Sequence, residues 1–204
     1  VLFRSSFVGG GQNHNASGSN SSVLGGRNNT CNAGYGSIVG GYGAYSKGIC
    51  GVAQSGANYF SAVGDAQSVN YVLSIQTTNA TPTALTTNQG AASTLSQIIL
   101  PNNQAYVFTG TIVARNTSTG DAASWKIEGL ITRGANAAST ALVGSPTITL
   151  IAASAGAVSQ GWGLIGNCTA TADTTNGGLS IQGTGVAATT IRWVRSEEHT
   201  SELQ

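Results

Sequence analysis

Apolar positions in the first third of the chain come in pairs, and glycines follow each pair. Ser6-Phe7-Val8-Gly9-Gly10, Ser22-Val23-Leu24-Gly25-Gly26 and Ser37-Ile38-Val39-Gly40-Gly41 share one pattern. Ser6 to Ser22 is 16 residues and Ser22 to Ser37 is 15. A closing glycine follows at Gly18, Gly34 and Gly48, and a degenerate fourth copy starts at Ser61-Ala62-Val63-Gly64. An apolar pair, a glycine turn and polar filler at a short fixed period predict stacked β-coils. In extended backbone the two members of a pair face opposite ways, one into the coil and one toward a neighbouring chain. The polar segments 12–17, 27–32 and 42–47 are expected to supply the second strand and outer loop of each coil. Such a two-stranded unit is marginal alone. Its stability must come from stacking on other coils and other chains.

From residue 71 the pattern changes. Glycine thins out, and alternating or apolar runs predict strands over Tyr71–Gln76, Leu95–Leu100, Ala105–Arg115, Ser124–Thr132, Thr147–Ala152, Trp162–Asn167, Gly178–Gln182 and Thr189–Val194. Alternation is clearest in 105–115, and Trp125-Lys126-Ile127-Glu128 and Ile191-Arg192-Trp193-Val194 repeat it with one polar face. Turn signals at 101–103, 116–121, 134–136, 173–176 and 183–185 separate the runs. Some eight short strands at this spacing predict an antiparallel β-sandwich or jelly roll over residues 71–194. The expected fold class is all-β: a left-handed parallel β-roll over residues 6–70, then the sandwich.

The two ends fit neither pattern. Residues 195–204 resemble the translation of a common sequencing adapter, and residues 1–5 that of its complementary strand. Both stretches are therefore expected to contribute no fold, and the chain between them is expected to be a fragment. Three of the seven acidic residues (Glu197, Glu198 and Glu202) sit in the last ten. Between the ends, Arg27, Lys47, Arg115, Lys126, Arg133 and Arg192 face Asp65, Asp121, Glu128 and Asp173. So few and scattered charges give no footprint for nucleic acid. No run approaches the ~18 apolar residues of a membrane span, so no membrane insertion is expected. The 29 glycines, with abundant Asn, Ser and Thr, disfavour helix interiors and suit strands with tight turns. Cys31, Cys50 and Cys168 form no metal-ligand pattern and read as small, reduced thiols.

The pattern Ser-x-Val-x-Gly-x-x-(Asn/Ala)-x-Ala-x-Gly over residues 6–68 resembles the head repeats of trimeric autotransporter adhesins, which also occur in phage tail-fibre proteins. The chain departs from them in carrying Gly where the bacterial repeats often have Ile. Phe108 to Arg115, Trp125 to Gly129 and Ile191 to Val194 resemble a C-terminal domain of tailed-phage structural proteins. The resemblance implies a homotrimeric distal tail-fibre or spike segment of a virion that attaches to a bacterial surface glycan or to another tail protein. A bacterial trimeric adhesin at the cell surface and a tailspike depolymerase are the alternatives it leaves.

No catalytic chemistry is legible. Asp121 and Asp173 fall in turns, Glu128 lies beside Lys126 on a polar strand face, and His14 sits in a repeat loop without a nucleophile elbow. No cofactor or metal site is implied. Saccharide stacking asks for less: an exposed ring beside polar groups. Tyr42, Tyr45 and Trp162, with Tyr35, are the rings flanked by glycine and polar residues, whereas Trp125 and Trp193 read as core.

Overall fold

The computed structural model describes residues 5–57 and 62–202, with side chains described as far as Ser196. Strands and turns make up nearly all of it, and the one α-helix, α1, is five residues long (Ala155–Ser159). The first region is a stack of coils. Strands β1 (Phe7–Val8), β3 (Ser22–Val23), β5 (Ser37–Gly40) and β7 (Val52–Ser55) run parallel in one sheet. Between them in sequence, β2 (Asn15–Ala16), β4 (Thr30–Cys31) and β6 (Tyr45–Ser46) form a second parallel sheet, inside the expected polar segments.

The register is a constant 15 residues: Phe7 pairs with Ser22, Ser22 with Ser37 and Ser37 with Val52. The step of 16 suggested by Ser6 therefore does not occur. Three glycines follow Val8, so the sequence alone aligns either way. The ladder decides, placing Val8 in the inward row of Val23, Ile38 and Ala53 and Phe7 in the outward row of Ser22, Ser37 and Val52. A one-residue slip would exchange the two rows. Gly11, Gly26 and Gly41 take φ of 97°, 95° and 101°, where a Cβ would strike the neighbouring coil's backbone. The fourth rung is Val52–Ser55, not the copy expected at 61–64. Ser61 lies outside the described residues, Val63 is exposed, and the Gly64 N–H donates to Gly43 O across 2.8 Å.

The second region is built on long strands: β8 (Gln67–Thr77), β11 (Gln104–Asn116), β12 (Ala122–Arg133) and β17 (Ile191–Glu202), with β14 (Thr147–Ala153) and β13 (Ala141–Leu142) both beside β12. All belong to the sheet begun by the coils, in the order β1-β3-β5-β7-β8-β17-β11-β12-β13. The expected boundary at residue 70 falls inside β8. Its first residues pair with β7 (Ser55 with Gln67, Val52 with Asn70), while Ser68 to Thr77 pair with β17. A third sheet, four-stranded, contains β9 (Thr83–Ala84), β10 (Ile98–Ile99), β15 (Cys168–Asp173) and β16 (Gly178–Gly183).

Between these sheets lies the larger part of the core. Trp125 and Trp193 are fully buried with ring centroids 5.4 Å apart. Their indole N–H groups donate to Leu164 O and Thr77 Oγ1. Gly183 on the four-stranded sheet makes room for Trp193: a Cβ there would lie 2.6 Å from the indole. Phe108, Ile112, Ile127, Ile131, Ile181 and Ile191 complete the packing.

Two expectations fail locally. Residues 162–167 form a loop, not a strand. The Trp162 N–H bonds back to Ala157 O in the middle of α1, and the Asn167 amide ties Leu164 N–H to Thr184 O. Residues 195–202, expected to take no fold, continue β17 between β8 and β11. Backbone groups of both flanking strands need partners along that length, and a ladder satisfies them whatever the side chains. The alternation then turns Arg195 inward, fully buried.

Candidate functional site

Inside the coils, equivalent side chains form ladders. Asn29 is fully buried: its amide donates to Gly25 O and Gly41 O, and its Oδ1 accepts from the Ala44 N–H at 2.8 Å. One coil earlier, His14 Nδ1 takes the corresponding role and accepts from the Asn29 N–H at 3.3 Å. The Ser22 hydroxyl donates to Ser37 Oγ on the outer side. These groups hold neighbouring coils in register.

The stack is closed where it meets the long strands. Gln67, buried on β8, presents its amide to the edge of β6: Oε1 accepts from the Tyr45 N–H at 2.7 Å, and Nε2 donates to Tyr45 O at 2.9 Å. One side chain thus replaces the next strand of the smaller coil sheet, while the larger sheet continues through β7 into β8. The Tyr71 ring lies against Gly48 and Gly51, where any side chain would collide with it. Tyr45, Lys47, Gln67, Val69, Tyr71, Pro101 and Tyr106 line a cleft of about 30 Å³ at this junction. Burial, with Tyr71 adding to it, raises the Tyr106 hydroxyl far above its ordinary range, so it stays neutral.

The stacking candidates separate in this setting. Tyr45 is half-buried on the rim of the cleft, its backbone held by Gln67. Tyr42 is half-buried and does not line that cleft; the Arg27 guanidinium sits 5.3 Å above its ring centroid. Trp162 is corrected: it is fully buried, its indole N–H donating to Gln160 Oε1, because the turn after α1 folds it into the core. Tyr35 is 64% exposed and holds φ at 58°. The structure therefore brings no two of these rings into one pocket. Tyr71 and Tyr106 were missed as cleft residues, since on alternating strands they look like any other inward aromatic.

The carboxylates with described side chains have local partners. Asp121 accepts from the Thr119 and Ser154 hydroxyls, which hold its pKa below the ordinary carboxylate value. Burial opposes ionisation of Asp173, but hydrogen bonds from the Asn176 side chain and the Asn176 and Thr175 N–H groups outweigh it and lower its pKa. Glu128 pairs with Lys126 at 2.7 Å, and Asp65 accepts from the Ala62 N–H. Burial raises the thiols of Cys31 and Cys168, the latter to about 12 despite the nearby Arg195 charge. Among the described residues, no group of three or more His, Cys, Asp or Glu could hold a metal ion, and no helix is long and apolar enough to cross a membrane. No protein-family model matches the chain, and no curated protein is significantly similar to it.

Proposed function

We propose that this chain is a virion structural protein, a distal tail-fibre or spike segment of a phage that attaches to a bacterial surface. In this reading the coil stack is the left-handed parallel β-roll of a homotrimeric shaft, and the two-sheet region is its antiparallel β-sandwich tip. The supporting observation is the one sheet that runs from β1 through β7 and β8 to β13. A shaft joined to its tip by a continuous ladder of backbone hydrogen bonds transmits force and orientation along that sheet. Three weak sites on one rigid body then gain avidity by multivalency without any strong single site. Tyr42 and Tyr45 on the coil flank, with exposed Tyr35, are the rings such a site would use.

Immunogold labelling with an antibody to the folded chain tests the reading, on phage particles and on bacteria from the same source. Gold at the distal ends of phage tails is the expected result. Gold distributed over bacterial outer surfaces, with none on particles, would replace it with the adhesin reading.

A further inference from the structure

The outer face of the long sheet carries two arginines that the fold sets side by side. Arg115 on β11 pairs directly with Arg192 on β17, and both are exposed. Like charges directly opposite each other on one face of a sheet repel. Among the described residues no carboxylate offsets them. Lys126 with Glu128 is the one ion pair there, Asp121 at the neighbouring turn accepts from the Thr119 and Ser154 hydroxyls, and Asp65 and Asp173 have local partners elsewhere.

Beside Arg192 the face is hollowed. Ser74, Gln76, Gln89, Arg192 and Val194 line a cavity of about 250 Å³. Four of these stand as cross-strand neighbours, Gln76 paired with Arg192 and Ser74 with Val194. Gln89 comes from a loop fastened to the edge of β8. Ser74 and Thr86 exchange backbone hydrogen bonds of 2.8 and 3.2 Å, and the hydroxyl of buried Thr86 donates to Gly90 O at 3.1 Å. The Arg192 guanidinium is held as well: its Nε–H donates to Gln76 Oε1 at 3.3 Å. Its two terminal amino groups have no hydrogen-bond partner among the described residues.

We infer that this cavity binds one acidic sugar unit, its carboxylate or phosphate oxygens on the Arg192 guanidinium and its hydroxyls on Gln76, Gln89 and Ser74. The chemistry of the lining selects this class. A guanidinium presents its donors in the fork that oxyanions accept. Two amides and a hydroxyl both donate and accept, which suits a ring bearing several hydroxyls. Val194 gives the C–H face of the ring an apolar wall. The volume lies below the roughly 300–1,000 Å³ of sites for drug-sized ligands, so the cavity suits a single ring, and a longer glycan must continue over the open face. Arg115 does not line the cavity; it adds field from the next strand, and a bound oxyanion relieves the repulsion between the two arginines. This deepens the attachment reading by naming a ligand class, and it rests on that reading only for where the sugar is met.

Calorimetric titration of the full chain tests it, with glucuronate, glucose 6-phosphate, glucose and inorganic phosphate as probes. At least one acidic sugar is expected to bind about tenfold more tightly than glucose and than inorganic phosphate, and to weaken as salt is raised. Preference between the two acidic sugars then tells a carboxylate ligand from a phosphate one. Arg192→Gln should weaken binding about tenfold and Gln89→Ala several-fold. Lys126→Gln, which removes the same charge from the same face outside the cavity, should leave it unchanged. Inorganic phosphate that binds as tightly as either acidic sugar overturns the inference, and so does an Arg192→Gln chain that binds as well as the unaltered one. Should Arg192→Gln fail to fold, Gln89→Ala on its exposed loop decides. Absence of sugar binding with gold still at the tail tips removes this site alone. Binding with no gold on tails removes the phage reading and keeps the site.

Discussion

The two regions of this molecule share a sheet but are stabilised differently. In the coil stack most strands are two residues long, and the interior holds small side chains: Val23, Cys31, Ile38, Ala44 and Ala53, with Asn29 and Ser46 among them. In the two-sheet region the principal strands run 11 to 13 residues and enclose Trp125, Trp193 and Phe108. Little apolar area is available per coil, so backbone and amide ladders between coils must set the geometry. The second region encloses the larger apolar core. The coils lean on it through the β8 ladder on one side and the amide of Gln67 on the other.

Trp193→Ala puts that dependence at greatest risk. Deleting an indole stacked on Trp125 should cost about 3–5 kcal/mol. Because β17 and β8 are adjacent, the coils should unfold in the same transition in urea, monitored by hydrogen exchange at Ile38 and Ala53. Coil amides that stay protected after the second region has melted would show that the stack is autonomous. Asn29→Ala probes the other side. It strands the Ala44 N–H and two carbonyls in a buried ladder, with an expected loss of about 1–3 kcal/mol. Thermal melts should show that loss with the tryptophan fluorescence of the second region unchanged below the transition. The smallest effect should have the opposite sign. Tyr35 takes the left-handed conformation that Asn20 takes one coil earlier, at φ 58° and 56°. Tyr35→Asn relieves a cost of about 1 kcal/mol, so the melting temperature should rise slightly. A fall would mean that the exposed ring makes a contact worth more than its strain.

The turn at residue 35 shows what a repeat can and cannot disclose. Asn20, Tyr35 and Cys50 occupy one structural position at φ between 56° and 60°, yet no residue preference announces it. Stacking forces each coil to copy the turn of its neighbour. For the same reason the fourth rung was hidden: Val52-Ala53-Gln54-Ser55 lacks both the serine and the glycine pair and is recognised only by its spacing from Ser37. The long strands were easier to read, because 105–115 and 124–132 alternate over enough residues to outweigh local exceptions. Trp162 was misread because its flanking glycines look like an exposed loop; the five-residue helix before it turns the ring inward. The cleft at Tyr45, Tyr71 and Tyr106 joins residues more than 20 apart in sequence, and no local pattern encodes that meeting.

The sequence by itself determined the all-β character, the coil period and the long alternating strands, because side-chain periodicity and glycine punctuation are local properties of a chain. Tertiary structure decided the register of the first coil, the closure of the stack by Gln67 and Tyr71, and the fusion of both regions into one sheet. These depend on which backbone groups face each other across distant segments. Arg195 marks the limit between the two. Its charge argues for the surface, but the ladder on both sides of β17 turns it into the core beside Cys168. Backbone hydrogen bonding fixes the path of a central strand, and the side chains follow it.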